Sequence, residues 1–232
     1  MSFLIPKKIS LLGNNQKLLF LRGMFGVIAM SLFYKTLQIM PIGTAVSLRY
    51  ISPIFAAILA IIFLKEKVRS LQWLCFLSAL VGVFLLKGFD TRVSSIAIAL
   101  ALLTALFSSV VYVLLRKIGK SEHPLVIVNY FMVMALVIGG LSSIGTWVTP
   151  KGNEWFILLM LGIFGFGGQL YMTKAFQLAE TNLIAPFKYT EVIFTVLFGW
   201  FLYGEYQSIA TIGAMGLIVL SLLANVWVKR KA

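Results

Sequence analysis

Gly43-Thr-Ala-Val-Ser-Leu-Arg-Tyr-Ile-Ser-Pro-Ile-Phe-Ala-Ala-Ile-Leu-Ala-Ile-Ile-Phe-Leu64 is followed at once by Lys65-Glu66-Lys67. A run of this length and apolarity crosses a hydrocarbon core of roughly 30 Å as a helix, which takes about 17–25 residues. Seven further runs of the same kind flank it. The eight spans are A 18–38, B 43–64, C 71–87, D 94–115, E 124–147, F 154–178, G 183–203 and H 208–228. Lipid offers no partners for bare amides, so each is expected as a helix. Barrel strands would be shorter and would alternate apolar with polar, which these runs do not.

The whole chain agrees with this reading. Of its 232 residues 60% are hydrophobic and 12% charged, and the mean hydropathy is +0.99. Soluble domains carry roughly 25% charged residues. The fold class expected is all-α, a polytopic membrane bundle of eight helices. The single Cys75 excludes an intramolecular disulfide and a thiolate metal cluster. The lone His123 lies in a polar loop and is read as solvated. No cleavable leader is expected at the start, Met1 to Lys8, which lacks a basic region followed by a long apolar one.

Twenty Lys and Arg stand against seven Asp and Glu. In a soluble protein that excess would suggest nucleic acid; here the basic residues punctuate the apolar runs, and no nucleic acid is expected as a partner. Lys7, Lys8, Lys17, Lys65, Lys67, Arg69, Arg116, Lys117, Lys120, Lys229, Arg230 and Lys231 fall on the side of the N-terminus, against Lys87, Arg92 and Lys151 opposite. The positive-inside rule then puts both termini in the cytoplasm of a multi-pass protein of the cell (inner) membrane, with the lipid bilayer as its surroundings.

The chain also repeats itself. A shift of 139 positions lays residues 23–69 on 162–208 without a gap. Gly23, Phe25, Gly26, Lys35, Gln38, Tyr50, Phe55 and Glu66 fall on Gly162, Phe164, Gly165, Lys174, Gln177, Tyr189, Phe194 and Glu205, and Arg49 meets Lys188. Apolar and glycine matches arise by chance in so narrow a composition, so the weight rests on the polar ones. The shift carries span A onto span F, five spans on, and therefore reverses its direction. Residues 1–90, with spans A to C, form the first repeat and 91–232, with spans D to H, the second. Inverted repeats are an architecture of secondary transporters.

Pro53 to Glu66, followed by Gln72-Trp and Gly82-Val, resembles the first-half signature of the drug/metabolite transporter superfamily, EamA-like branch. Ala185-Pro-Phe-Lys-Tyr-Thr, then Phe198-Gly-Trp-Phe-Leu-Tyr-Gly-Glu205 and Gly213, resembles the second-half signature. The resemblance implies ten spans arranged five plus five, of which the first two are missing here. It also implies a carrier with alternating access, an exporter or exchanger of a small metabolite. The alternative is a pore-like or non-transporting membrane partner derived from a truncated transporter. No enzyme is expected, because no span carries paired carboxylates, a histidine cluster or a nucleophile with its base, and no cofactor or metal is expected.

Candidate solute-binding residues are those whose ionised or polar groups lie inside spans. Arg49 is six residues into span B, about 9 Å from its surface, and Lys188 is five into span G, at similar depth from the opposite surface. Both are short enough of the centre to snorkel, and both could instead line a cavity. Arg49, Ser52, Ala56 and Ala60 share one helical face, as do their mates Lys188, Glu191, Thr195 and Gly199. Such stripes either let helices pack closely or line a wet cavity. Glu191, about 12 Å deep, either neutralises Lys188 at i+3 or carries a proton coupled to transport. Lys35 and Lys174, in the last turns of spans A and F, either stabilise the helix C-termini or make the two mouths basic.

Tyr50, Tyr189, Tyr130, Asn129, Gln38, Gln177 and Gln169 could add neutral hydrogen bonds. Glu66 and Glu205 are read as anchors of helix N-termini, and Gly162, Gly165, Gly167 and Gly168 as points of close helix approach. The partners expected are a small solute, anionic or zwitterionic and amino-acid-like, with a second copy of the chain as a further candidate.

Overall fold

The computed structural model describes residues 10, 12–40, 42–87, 94–191, 193, 194, 197, 201 and 209–230. Among these the regular structure is helical throughout. The elements are α1 (Gln16–Ile39), α2 (Ile42–Arg49), α3 (Ser52–Leu64), α4 (Ser70–Lys87), α5 (Ser95–Ile118), α6 (Pro124–Ser143), α7 (Glu154–Leu178), α8 (Thr181–Ile184), a 3-10 turn over Ala185–Tyr189, and α9 (Ile209–Arg230). Among the described residues five stretches are long and apolar enough to cross a membrane: Gln16–Ile39, Ser95–Ser121, Pro124–Ser143, Glu154–Leu178 and Ile212–Lys229. Ser52–Leu64 and Ser70–Leu85 are shorter apolar helices. The protein is a polytopic helical membrane bundle, as its hydropathy implied.

Three departures from the expected spans have local causes. Span E was expected to run to residue 147, but α6 stops at Ser143, because Ile144 turns extended and Gly145 takes a φ of 85° that only glycine adopts freely. Span B is broken at Tyr50 and Ile51, and span G opens with a short helix and a 3-10 turn. The remainder of span G lies largely outside the described residues, as do Thr195, Gly199 and Glu205.

Contacts divide the chain into two compact units, Met1–Ile28 with Leu114–Ala179 and Ala29–Val113 with Glu180–Ala232. Each draws on both sequence halves, so this is a division of packing and differs from the division by repeat.

In the first unit the start of α1, the end of α5, the start of α6 and the end of α7 meet at one end. Buried Glu122 accepts hydrogen bonds from the backbone N–H groups of Asn14 and Asn15, the former at 2.6 Å, and so caps α1. Gln177 Nε2 donates to the carbonyls of Gly119 and Glu122. Helix α1 approaches α6 closely at Gly26, where a β-carbon would lie 2.9 Å from Phe131 Cδ2.

The second unit packs α4 along α9. Gly82 permits it, since a β-carbon there would stand 2.8 Å from Ile218 Cγ1 and 3.1 Å from Ala214 O. Beside this contact lies a core cluster of Tyr50, Ala79, Val83, Tyr189, Ile218 and Leu222. These six are three pairs in the 139-residue register: 50 with 189, 79 with 218, and 83 with 222. Equivalent residues pack together where a two-fold axis passes between them.

One end of this unit is polar. Lys65 takes a left-handed φ of 56° and, with Glu66, donates its N–H to Ala60 O. The turn brings the Glu66 carboxylate to the N–H groups of Thr181 and Asn182, at 2.9 and 3.2 Å. Glu66 therefore anchors the N-terminus of α8. Gln72 Nε2 donates to Asn225 Oδ1 at 3.0 Å, and Lys229 Nζ lies 2.6 Å from Glu180 Oε2. The end of α3, the starts of α4 and α8 and the end of α9 thus meet, as up-and-down spans require.

The glycines of α7 behave differently from the expectation. A β-carbon at Gly162, Gly165, Gly167 or Gly168 would meet nothing within 4 Å. Their helix face is open, and close approach in the first unit belongs instead to Gly23 and Gly26 of α1.

Candidate functional site

Two interrupted spans build the site in the second unit. Pro53 lacks an N–H, so Arg49 O loses its helical partner, and the pyrrolidine ring crowds that carbonyl. The chain answers with tight i to i−3 bonds, Ile51 N to Leu48 O at 3.1 Å and Ile54 N to Ile51 O at 3.0 Å, before α3 resumes. In span G, Pro186 sits in the 3-10 turn, and Thr190 N donates to Phe187 O as the chain returns to α-helix. The interruptions fall at equivalent places and share the equivalent pair Tyr50 and Tyr189. Paired discontinuous helices are where transporter folds place solute and ion sites.

The charged side chains converge there. Arg49 Nη2 lies 2.9 Å from Glu191 Oε1 and 3.3 Å from Oε2. Lys188 Nζ lies 3.1 Å from Glu191 Oε2. The guanidinium also stacks over Phe33, 4.1 Å from its centroid, a favourable cation–π contact. Two cations thus share one carboxylate, leaving the cluster with a net positive charge. Side-chain exposures of 19% for Arg49, 34% for Lys188 and 40% for Glu191 leave the cluster partly buried. Beside it the rings of Tyr50 and Tyr189 stand 6.0 Å apart at 59°. Both hydroxyls, and Arg49 Nε, are buried without a hydrogen-bond partner among the described residues.

Arg49 and Lys188, expected near opposite surfaces, meet on one carboxylate. Two residues each about 9 Å from opposite faces of a roughly 30 Å core are separated by only about 12 Å in depth, which two long side chains and a carboxylate span.

The remaining candidates separate. Ser52 is buried at 2% exposure, and Ser109 Oγ lies 2.8 Å from its carbonyl oxygen. Ala56 and Ala60 on the same face are fully buried, whereas Ile58, Ile61 and Ile62 are exposed. This small-residue stripe is a packing face. Thr195, its counterpart in span G, is outside the described residues. Lys35 and Lys174 are exposed and sit one turn before the ends of α1 and α7 rather than in the last turns. Lys174 Nζ lies 5.4 Å from the Tyr171 ring centroid. It lines a cavity of about 440 Å³ in the first unit with Lys120, Glu122, His123 and Gln177. His123 caps α6, its Nδ1 accepting from Leu125 N.

One ionised residue escaped the sequence reading. Arg22 of α1 is 1% exposed, donates from Nη2 to Gln169 Oε1 at 2.7 Å and lies 4.7 Å from the Phe131 ring centroid. It has no basic mate in the repeat, where position 161 is leucine, so the register drew no attention to it. The signal was simply an arginine inside span A.

A multi-pass helical membrane protein with paired interrupted spans is the class these features define. The chain belongs to the EamA-like transporter family, whose model matches residues 1–88 and 95–227. The resemblance of the two signatures therefore holds, and the chain is a transporter-family protein, not an enzyme. It is 27% identical over 209 residues to the pseudopaline exporter of Pseudomonas aeruginosa, covering 89% of this chain and 74% of that one. It is 31% identical over 236 residues to solute carrier family 35 member G1 of Homo sapiens, covering 94% of this chain and 65% of that one. It is 24% identical over 212 residues to the S-adenosylmethionine uptake transporter of Rickettsia felis, covering 91% and 72%. A solved crystal structure matches the fold with a TM-score of 0.80 at 20% identity, over 91% of this chain and 77% of that one.

Proposed function

We propose that the protein is a secondary carrier that exports or exchanges a small polar metabolite, anionic or zwitterionic and amino-acid-like, by alternating access across the cell (inner) membrane. The observation that carries this reading is the cluster of Arg49, Lys188 and Glu191 at the two interrupted spans. A solute carboxylate suits Arg49 and Lys188, an ammonium suits Glu191, and the tyrosine hydroxyls are free to bond either. A solute ammonium and a proton would compete for Glu191, the linkage that exchange against protons requires. The pairing of equivalent residues across the Tyr50–Tyr189 cluster supports the inverted repeat, and with it the two-state rocking of such carriers. The relatives' names, an exporter of pseudopaline and an uptake transporter of S-adenosylmethionine, support a metabolite as cargo.

The test is counterflow of labelled amino acids, dicarboxylates and choline in liposomes reconstituted with the purified chain. Saturable counterflow of a zwitterion or anion, lost in Arg49→Gln and not seen for choline, is the expected result. Flux that rises linearly with concentration would show a pore, and absence of flux for every solute would show a non-transporting partner.

A further inference from the structure

We infer that Arg22, Gln169 and Thr173 form an anion-binding site in the first unit, taking the carboxylate or phosphate group of a small anion. The site shares no residue with the Arg49 cluster and stands whether or not that cluster carries solute.

The argument begins with an accounting of donors. A guanidinium has five N–H groups in one plane and accepts nothing. Arg22 uses Nη2 on Gln169, and its Nε and Nη1 are buried without a hydrogen-bond partner among the described residues. At 1% exposure it does not snorkel to water, and no carboxylate pairs with it among the described residues. Glu122, the buried acid of this unit, is already committed to the N–H groups of Asn14 and Asn15. The face of Phe131 and the amide oxygen of Gln169 supply only partial negative charge. An ionised arginine inside a span is costly, and its unmatched donors ask for an anion.

A second orphan points the same way. Thr173 is fully buried and its hydroxyl has no partner among the described residues. It lies one turn along α7 from Gln169, so the two share a helix face, and Gln177 extends that face by another turn. At Gln177 the face reaches the 440 Å³ cavity, whose lining includes the ammonium-bearing Lys120 and Lys174. Gln177 is about 12 Å along the helix from Gln169. Lysines at the cavity would gather anions, and the forked guanidinium with the threonine hydroxyl would hold a planar carboxylate or a phosphate.

The experiment is thermal unfolding of the full chain in nanodiscs of phosphatidylcholine, titrated with acetate or inorganic phosphate against chloride at equal ionic strength. Binding to the folded state raises Tm with ligand concentration. The wild type should gain Tm with acetate or phosphate beyond the chloride control. Arg22→Gln, which keeps a donor to Gln169, should be no less stable than wild type without anion and should lose at least about tenfold in anion affinity. That crossing of stabilities would not arise from a merely structural arginine. Thr173→Val preserves shape and should weaken binding by a few-fold, a readout that survives if Arg22→Gln fails to fold. In nanodiscs containing phosphatidylglycerol, an Arg22-dependent gain with no response to soluble anions would identify a lipid headgroup as the source of the same group. No anion-dependent gain in wild type in any of these conditions, or an undiminished gain in both variants, would overturn the site.

Discussion

Arg49 and Glu191 are joined across 142 residues of sequence, with Nη2 at 2.9 Å and 3.3 Å from the two carboxylate oxygens, and the same carboxylate holds Lys188 at 3.1 Å. Loss of either cation leaves Glu191 still paired, whereas loss of the carboxylate leaves two cations facing each other. Glu191→Gln should therefore destabilise more than Lys188→Met, which is expected to fold nearly as well as wild type. The cost of Glu191→Gln should exceed the ~1 kcal/mol of an exposed pair and fall short of the ~3–5 kcal/mol of a fully buried one. Thermal unfolding of the purified variants decides the order, and the reverse ranking would refute the shared-carboxylate account.

Tyr50 and Tyr189 carry buried hydroxyls without partners among the described residues. Such a group is a cost to folding unless something else uses it. Tyr50→Phe and Tyr189→Phe should leave stability unchanged or raise it by up to about 1 kcal/mol. If the hydroxyls bond the solute, each change should reduce counterflow about tenfold. Unaltered counterflow in both variants would remove the pair from the site.

Glycine contacts give a contrast within one chain. Gly82→Val must displace Ile218 and the backbone of Ala214, and the overpacking should destabilise by about 1–3 kcal/mol. Gly162→Ala meets nothing within 4 Å and should be neutral or stabilising by up to about 1 kcal/mol, from helix propensity. Unfolding midpoints of the two variants measure this directly.

The distribution of loop charges predicts an orientation. Reporter fusions after Lys67 and at the C-terminus should read cytoplasmic, and one after Lys151 external. A cytoplasmic reading at Lys151 would invalidate the assigned orientation and the reversed direction of the repeats.

Much of the fold was legible because it rests on local regularities. The limits of α1, α4, α5, α7 and α9 follow apolar run length to within a few residues. The role of Glu66 at a helix N-terminus was readable from its place at the end of an apolar run, although its partner, α8, lies more than a hundred residues on. The breaks in spans B and G were visible as Pro53 and Pro186 and yet were read as continuous helix, because proline is tolerated in membrane helices often enough that hydropathy carries through it. The glycines of α7 looked like a packing face only because composition cannot say which helix, if any, lies opposite.

The sequence alone determined that the chain spans a membrane, where its apolar runs begin and end, and that Lys35, Gln38, Tyr50 and Glu66 match Lys174, Gln177, Tyr189 and Glu205 at a shift of 139. Those properties are set by composition and spacing over about twenty residues, the scale of one helix in a bilayer. Only the tertiary structure decided which polar groups meet. Arg49 and Lys188 share one carboxylate and Arg22 reaches Gln169, because kinks at prolines, the close approaches that Gly26 and Gly82 permit, and the reach of long side chains combine across distant parts of the chain. No local pattern encodes that combination, since it depends on how whole helices pack.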